Sequence, residues 1–545
     1  MLSRAVYLNR GVEDVCFEAN GPPPTWQCKK IDRGFGAKFA TRAELPEAGA
    51  ISRDSRPISQ GLLVFNSNMS QRLESHRPNI ISLLPLSPAV QAAPPAATLA
   101  RIGQPANQPF QDISSDLRLT SWTRSIHVFP AANPRSISGS AVHEAVLPKY
   151  PRSQDPVAIA HDIRNRNLNA EKRIESGTAI DEPQLFIAAA RYYNHSQSGE
   201  DQKNNVNEGE APITFVLTHA NGFHKETWEP MLAHLILSPG GRKIKEFWAL
   251  DCVNQGDSAV LNRATVGLNF DWADHARDLL NFVLSYLPDQ HSSGPSLPMV
   301  LPCLECPNSQ LLQLDQSPRS DTCGPISWRH RRLGLIGHSV GGCASLFAAT
   351  SIPELFQDVI LVEPVVRPKH DDEIRVTIKI ASSTVARQDQ WDNRAVALKK
   401  FQKNDRFFGR WDPSVLRRYL EHALEFEQPV KLKCNKLHEA SVFVQPHNRT
   451  SESYFRFSEL FDESMTKQPL GNDHLPFRFL LILGNQSDSV VPEDAVKKFG
   501  FVKIDRSGHL ITQENPLELA SLISKHLTES KFPSCINKDT PFCKL

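Results

Sequence analysis

An apolar run that ends in Gly-x-Ser-x-Gly constrains the fold of this chain more than any other feature of its sequence. Residues 333–336 read Leu-Gly-Leu-Ile, and residues 337–341 read Gly-His-Ser-Val-Gly. In such a strand-to-helix turn, glycines let neighbouring backbones pass closely, and the serine hydroxyl is exposed at the carboxyl end of the strand. The pattern therefore predicts that Ser339 is a nucleophile and that the backbone N–H of Val340 is an oxyanion donor.

Short aliphatic runs alternate with longer amphipathic stretches from residue 150 to residue 540. This alternation predicts an α/β fold, in which a mostly parallel sheet carries helices on both faces. Two segments interrupt the pattern: a loop insertion at 288–329, and a charged helical segment at 367–475 where a lid or cap is expected. The runs interpreted as strands are Leu185–Tyr193, Ile213–Thr218, Phe247–Leu250, Leu333–Ile336, Val359–Val362 and Phe479–Leu483.

The first 140 residues have a different composition. Nine prolines fall between residues 76 and 135, mixed with Ser, Ala, Gln and Asn. A segment of this kind buries too little apolar surface to offset the entropy lost on ordering the chain. The composition therefore predicts that residues 1–140 form a disordered, low-complexity region ahead of the α/β domain.

Two loops at the ends of predicted strands supply further candidate groups. The strand at 213–218 runs into His-Ala-Asn-Gly-Phe at 219–223, and such a loop suits an oxyanion site because a free N–H must point at the reacting carbonyl. The candidate donors in it are the backbones of Asn221, Gly222 and Phe223. Near the end of the chain, His509 follows Gly508 after the last short apolar run, where it is placed to act as the general base for the serine.

The third member of a catalytic triad has two candidates. Asp488 lies on the loop after the strand at 479–483, and Glu363 directly ends the strand at 359–362. Both lie between the serine and the histidine, as the order Ser…Asp/Glu…His requires. Either carboxylate could orient the imidazole and stabilise its cation, so the sequence pattern leaves both open.

These motifs together resemble the α/β-hydrolase superfamily over the segment from about 180 to 530. Within it, the chain is similar to fungal peroxisomal hydrolases of polyketide and host-selective-toxin gene clusters, a group that includes the acyl-CoA thioesterase of mycophenolic acid biosynthesis. The resemblance implies acyl-thioester hydrolysis and a triad acid at Glu363, where that thioesterase has an Asp. The motifs that carry it are Thr-His-Ala-Asn-Gly-Phe-His-Lys-Glu at 218–226, Gly-His-Ser-Val-Gly-Gly at 337–342, Leu-Val-Glu-Pro-Val-Val at 361–366 and Trp-Asp-Pro-Ser-Val-Leu at 411–416.

Composition excludes several other classes of protein. With 61 Lys+Arg against 60 Asp+Glu, the chain lacks the basic excess of a nucleic-acid binder. The apolar stretch at 80–100 contains four prolines, which argue against a membrane-spanning helix there. The ten cysteines are widely spaced and match no common metal-ligand pattern, so we expect no metal and no cofactor.

The last three residues, Cys543, Lys544 and Leu545, are similar to the Ser-Lys-Leu peroxisomal address. They predict binding to a peroxisomal import receptor and a peroxisomal location, with the cytoplasm as the alternative. The sequence as a whole predicts a serine hydrolase whose substrate is a small-molecule acyl ester or acyl-CoA. Two alternatives stay open: a carboxylesterase or lipase with the same triad, and a hydrolase-like binding protein without activity.

Overall fold

A nine-stranded sheet organises the residues that the computed structural model describes. These residues are 82–83, 86, 90–102, 108–110, 117–143, 146–175, 182–196, 212–289, 296–304, 331–368, 372–404, 407–446, 448–460, 477–487 and 501–529. The strands are β1 (Gln108–Pro109), β2 (Trp122–Pro130), β3 (Phe186–Asn194), β4 (Ile213–Thr218), β5 (Ile244–Leu250), β6 (Arg332–His338), β7 (Asp358–Val362), β8 (Gln390–Trp391), β9 (Val430–Lys431), β10 (Arg478–Gly484) and β11 (Val502–Ile504).

The order of strands across the sheet is β1-β2-β3-β5-β4-β6-β7-β10-β11, and β8 pairs with β9 separately. The pairs β1–β2, β2–β3 and β3–β5 are antiparallel, whereas every other pair in the large sheet is parallel. All six predicted strands are present; the bounds of β4 equal the prediction, and those of the other five differ from it by at most three residues. Because β4, β6, β7 and β10 are mutually parallel, the loops at their carboxyl ends lie along one edge of the sheet.

Helices cover both faces of the sheet, as the alternation of the sequence predicts. On β7, Val359 and Leu361 pack into one core with helix residues such as Phe347, whereas Ile360 and Val362 pack into a second core with Ile523. Side chains alternate along a strand, so such a split shows a sheet that is buried on both faces. The helices are α1 (Ala96–Leu99), α2 (Pro156–Glu175), α3 (Glu229–Leu237), α4 (Gly256–Leu261), α5 (Trp272–Asn281), α6 (Val340–Ser351), α7 (Glu373–Val385), α8 (Arg394–Gln402), α9 (Pro413–Ala423), α10 (Lys436–Phe443), α11 (Arg449–Glu459), α12 (Ile511–Glu514) and α13 (Pro516–Glu529).

The prediction that residues 1–140 are disordered is wrong for strand β2, which lies within this range. Strand β2 pairs with β3 along all nine of its residues, and Val128 and Phe129 are fully buried. The strand also carries polar residues, which hid it in the sequence. Its Arg124 pairs with Glu226 and Glu229, so distant parts of the chain neutralise a charge that reads locally as solvent-exposed.

Five helices, α7 to α11, lie between β7 and β10, within the segment predicted to form a lid. Helix α2 lies between β2 and β3 in the sequence. Its Ile159 and Ile163 pack against Ile378 of α7 and Leu437 of α10. In the predicted loop insertion at 288–329, the described residues include Val300, which forms a bridge with Val128 of β2. Residues 290–295 and 305–329 of that insertion lie outside the described part of the chain.

Candidate active site

Ser339 occupies a strained turn between β6 and α6. Its backbone has φ 58° and ψ −119°, a region that residues other than glycine rarely adopt. Close packing enforces this turn: a Cβ added to Gly341 would lie 2.4 Å from the carbonyl oxygen of Thr218 on β4. The turn places the serine at the amino end of α6, at the edge of the sheet where the parallel strands end.

A chain of hydrogen bonds joins Ser339 to His509 and Glu363. His509 Nε2 lies 2.8 Å from Ser339 Oγ, and His509 Nδ1 lies 3.2 Å from Glu363 Oε2. A carboxylate can only accept, so the proton of the neutral imidazole is on Nδ1. Nε2 is then free to accept the proton of the serine hydroxyl, as a general base requires.

Glu363 is fully buried, and several described residues donate hydrogen bonds to its carboxylate. Besides His509, the backbone N–H of Gly484 donates to Oε1 at 2.6 Å and the hydroxyl of Ser487 donates to Oε2 at 2.6 Å. Its own backbone has φ 46°, so the end of β7 is twisted to present this side chain. The other candidate acid, Asp488, lies outside the described residues.

The four predicted oxyanion residues line one cavity with Ser339 and His509, but their N–H groups differ in availability. The N–H of Gly222 donates to Gln255 Oε1 at 2.9 Å, and the N–H of Phe223 donates to the carbonyl of Ala220 at 3.2 Å. Among the described residues, the N–H groups of Asn221 and Val340 have no acceptor. The geometry thus narrows the loop's candidate donors to Asn221.

The candidate oxyanion loop, residues 219–223 and called the oxyanion loop below, is followed by buried charged groups that sequence reasoning missed. Lys225 Nζ lies 2.9 Å from Asp251 Oδ2 and 2.6 Å from Asp257 Oδ2, and all three residues are buried. Despite its burial, Lys225 has a raised pKa because these carboxylates and Glu226 surround it. The Lys-Glu pair that follows the loop was visible in the sequence. The partners Asp251, which directly follows β5, and Asp257 of α4 had no local signal.

His338, the residue before the serine, holds the backbone of His509. Its Nε2 lies 2.8 Å from the carbonyl oxygen of His509, and its Nδ1 lies 3.2 Å from Thr512 Oγ1. Burial lowers the pKa of His338 to about 3, so the ring is neutral and has a single N–H. A carbonyl oxygen can only accept a hydrogen bond, so the single N–H of His338 is on Nε2. The hydrogen bond from this N–H to the His509 carbonyl orients the His338 ring.

The cavity beside Ser339 has a volume of about 300 Å³. One part of its lining is aromatic, and most of these rings belong to the cluster that joins the oxyanion loop to α8 and α9. Another part is polar and comes from α2, the segment after β7, α7 and the segment between α10 and α11. The aromatic residues that line the cavity are Phe223, Trp272, Phe407, Phe408, Tyr419 and Phe443.

Three further findings concern the other predictions. Within the described ranges, no group of three or more His, Cys, Asp or Glu side chains is arranged to hold a metal ion. In the same part of the chain, no helix combines the length and apolar character needed to cross a bilayer. The predicted targeting residues, Cys543 to Leu545, lie outside the described residues.

Comparison with known proteins identifies the family. The model of the alpha/beta hydrolase family matches residues 215–522, which is more than half of the chain. The chain therefore belongs to the alpha/beta hydrolase family, as the sequence motifs and the sheet order indicate.

Individual relatives extend this assignment. The peroxisomal membrane protein LPX1 of Saccharomyces cerevisiae is 31% identical over 28% of this chain and 31% of its own length. The type I acyl-CoA thioesterase mpaH' of Penicillium brevicompactum is 27% identical over 39% of this chain and 41% of its own length. The matches thus span less than half of these two relatives.

A solved structure has the same fold. The peroxisomal alpha-beta-hydrolase Lpx1 of Saccharomyces cerevisiae superimposes with a TM-score of 0.50 over 75% of this chain and 89% of that one, at 19% sequence identity. At this identity, the likeness shows the fold alone.

Proposed function

We propose that the protein is a serine hydrolase that cleaves an acyl thioester or ester. The observation that carries the proposal is the hydrogen-bond chain from Glu363 through His509 to Ser339, which begins at a buried carboxylate and ends at a serine on a strained turn. Strained backbone and a buried charge both have a cost, and they concentrate where chemistry needs them. The family membership supports the same class of reaction.

The proposed reaction follows from the roles these groups can take. Ser339 Oγ attacks the carbonyl carbon while its proton passes to His509 Nε2, and Glu363 stabilises the imidazolium that forms. The N–H groups of Val340 and Asn221 donate to the oxyanion of the tetrahedral intermediate. His509 then returns the proton to the leaving thiol or alcohol, and a water molecule releases the acyl group by the same steps.

We propose that the substrate is a thioester, with an oxygen ester as the alternative. Support for the thioester comes from the relative mpaH', which is named an acyl-CoA thioesterase. The test is hydrolysis of an acyl-CoA and of a p-nitrophenyl ester with the same acyl chain, with Ser339→Ala as the control. We expect a higher kcat/KM for the acyl-CoA and no turnover by the variant. Hydrolysis by Ser339→Ala at the rate of the wild-type protein would refute the serine mechanism.

We further propose a peroxisomal location and a role in the secondary metabolism of a fungus. The location is supported by the similarity of Cys543-Lys544-Leu545 to a peroxisomal address and by the relative LPX1, which is named a peroxisomal protein. In a fluorescent fusion that ends in this tripeptide, one added residue removes the terminal carboxylate that such a receptor reads. A fluorescent fusion that is peroxisomal with the native tail and cytosolic with the extended tail supports the address, and identical distributions contradict it.

A further inference from the structure

The polar part of the cavity contains two arginines that no carboxylate of the described residues neutralises. Arg164 of α2 and Arg367, which follows β7, both line the cavity and are half-buried. Within the described residues, neither has a carboxylate oxygen within 4.0 Å. An anion in the cavity could accept charge-assisted hydrogen bonds from these guanidinium groups, which are stronger than those between neutral partners.

The other charged groups on the cavity wall leave this positive charge in excess. Arg387 also lines the cavity, but it is paired with Glu439, whose Oε1 lies 3.2 Å from its Nη1. Glu373 is the remaining carboxylate of the lining, and it forms no ion pair among the described residues. Among the described lining residues, one carboxylate against two arginines leaves a net positive charge on the cavity wall.

We propose that Arg164 and Arg367 form an anion subsite that binds a negatively charged group of the substrate. The inference rests on the proposed hydrolase function, because it assigns the part of the cavity that holds a substrate cleaved at Ser339. Two sources share this chemistry: the phosphates of an acyl-CoA leaving group, and a carboxylate at the far end of the acyl chain. Arginine suits both, since its planar guanidinium donates two parallel hydrogen bonds to phosphate or carboxylate.

The position of Arg164 explains why the family pattern does not reveal this subsite. Helix α2 lies before residue 215, where the match to the family begins. Its apolar residues Ile159 and Ile163 pack against helices α7 and α10, so the helix is held on the lid by its own hydrophobic contacts. The subsite is therefore assembled from a segment outside the matched hydrolase core and one inside it.

The test measures binding in the Ser339→Ala background of the full chain, in which turnover cannot interfere. The ligands are three thioesters: an acyl-CoA, the same acyl chain on N-acetylcysteamine, and an N-acetylcysteamine thioester whose acyl chain ends in a carboxylate. The variants are Arg164→Gln and Arg367→Gln. The matched control is Arg166→Gln, an exposed arginine on the same helix that pairs with Asp162 outside the cavity.

We expect each cavity variant to raise the Kd of an anionic thioester about tenfold, because charged hydrogen bonds of this kind contribute about one order of magnitude in affinity or more. The uncharged thioester should bind all variants equally. A loss confined to acyl-CoA identifies the phosphates as the anion, and a loss confined to the carboxylate-ended thioester identifies the acyl chain.

Unchanged Kd values for both anionic thioesters, in variants that melt like the control, would overturn the subsite. Failure of the proposed function gives a different result, namely no hydrolysis of any of the three thioesters by the wild-type protein. The two outcomes can be told apart because binding is measured with the Ser339→Ala protein, whereas hydrolysis is measured with the wild-type protein.

Discussion

Replacing Glu363 by glutamine tests which carboxylate completes the triad. The amide has the shape of the acid, but only one of its two terminal atoms can accept a hydrogen bond. The backbone N–H of Gly484 can only donate, so it retains the amide oxygen, and the NH₂ group then faces His509 Nδ1. Two donors cannot bond each other, so the ring shifts its proton to Nε2 and loses the ability to accept from Ser339.

The expected cost is the loss of a correctly oriented base. In the best-studied serine triad, an acid-to-amide change of this kind lowers kcat about 10⁴-fold, equivalent to about 5 kcal/mol of transition-state stabilisation. We expect Glu363→Gln to lower kcat by this order with little change in KM, while Asp488→Asn remains near wild type. Steady-state kinetics of both variants, with thermal melting to confirm folding, makes the comparison. A near-normal Glu363→Gln together with a crippled Asp488→Asn would refute the assignment.

Three further predictions concern the fold around the site. Deleting residues 1–140 removes β2 and exposes the edge of β3, so the cooperative melting transition should be lost; a truncated protein that melts cooperatively would contradict this. Gly222 has φ +84° and a Cβ there would lie 2.9 Å from the Glu439 carboxyl, so Gly222→Ala should lower kcat/KM at least tenfold. Gly508→Ala is the control and should be near wild type, because among the described residues the nearest atom to its added Cβ would be 3.7 Å away. Burial lowers the pKa of His275 to about 3, so between pH 6.5 and 3 this side chain binds a proton only in the unfolded chain, and the free energy of unfolding falls as the pH falls. In denaturant titrations, His275→Leu should flatten that dependence by up to about 1.4 kcal/mol per pH unit. An unchanged slope would show that His275 is not its source.

The strand-to-helix turn at Ser339 could be read from the sequence because its requirements are local. The run 333–336, the glycines at 337 and 341 and the small residues after them are contiguous, so strand, turn and helix each have a signal of their own. His509 was identified for the same reason, since it follows a glycine on a loop after the last short strand.

The choice between the two acids could not be made from sequence, because it depends on which strands are neighbours. Glu363 reaches His509 because β7 lies next to β10, whose end supplies Gly484 and Ser487 as donors. The sequence order of strands does not reveal that adjacency. The resemblance to a known family indicated Glu363, and the hydrogen bonds among the described residues agree with it.

The ion pairs and the substrate cavity were beyond sequence reasoning for a similar reason. Arg124 on β2 and Glu229 at the start of α3 are about a hundred residues apart, and each alone reads as a solvated charge. The cavity combines residues from α2, from the loop at 219–223 and from helices between β7 and β10, so its charge balance appears only when these elements are assembled.

The most direct test of the central claim is labelling of the full-length protein with a fluorophosphonate probe, followed by mass spectrometry of its peptides. Only a serine whose hydroxyl is activated by a neighbouring base reacts with this probe at an appreciable rate. The hydrogen bond from Ser339 Oγ to His509 Nε2 predicts one adduct on the peptide that contains Ser339, and none in Ser339→Ala. A wild-type protein that melts cooperatively yet acquires no adduct at Ser339 would contradict the serine-hydrolase account and favour a binding protein that has the hydrolase fold.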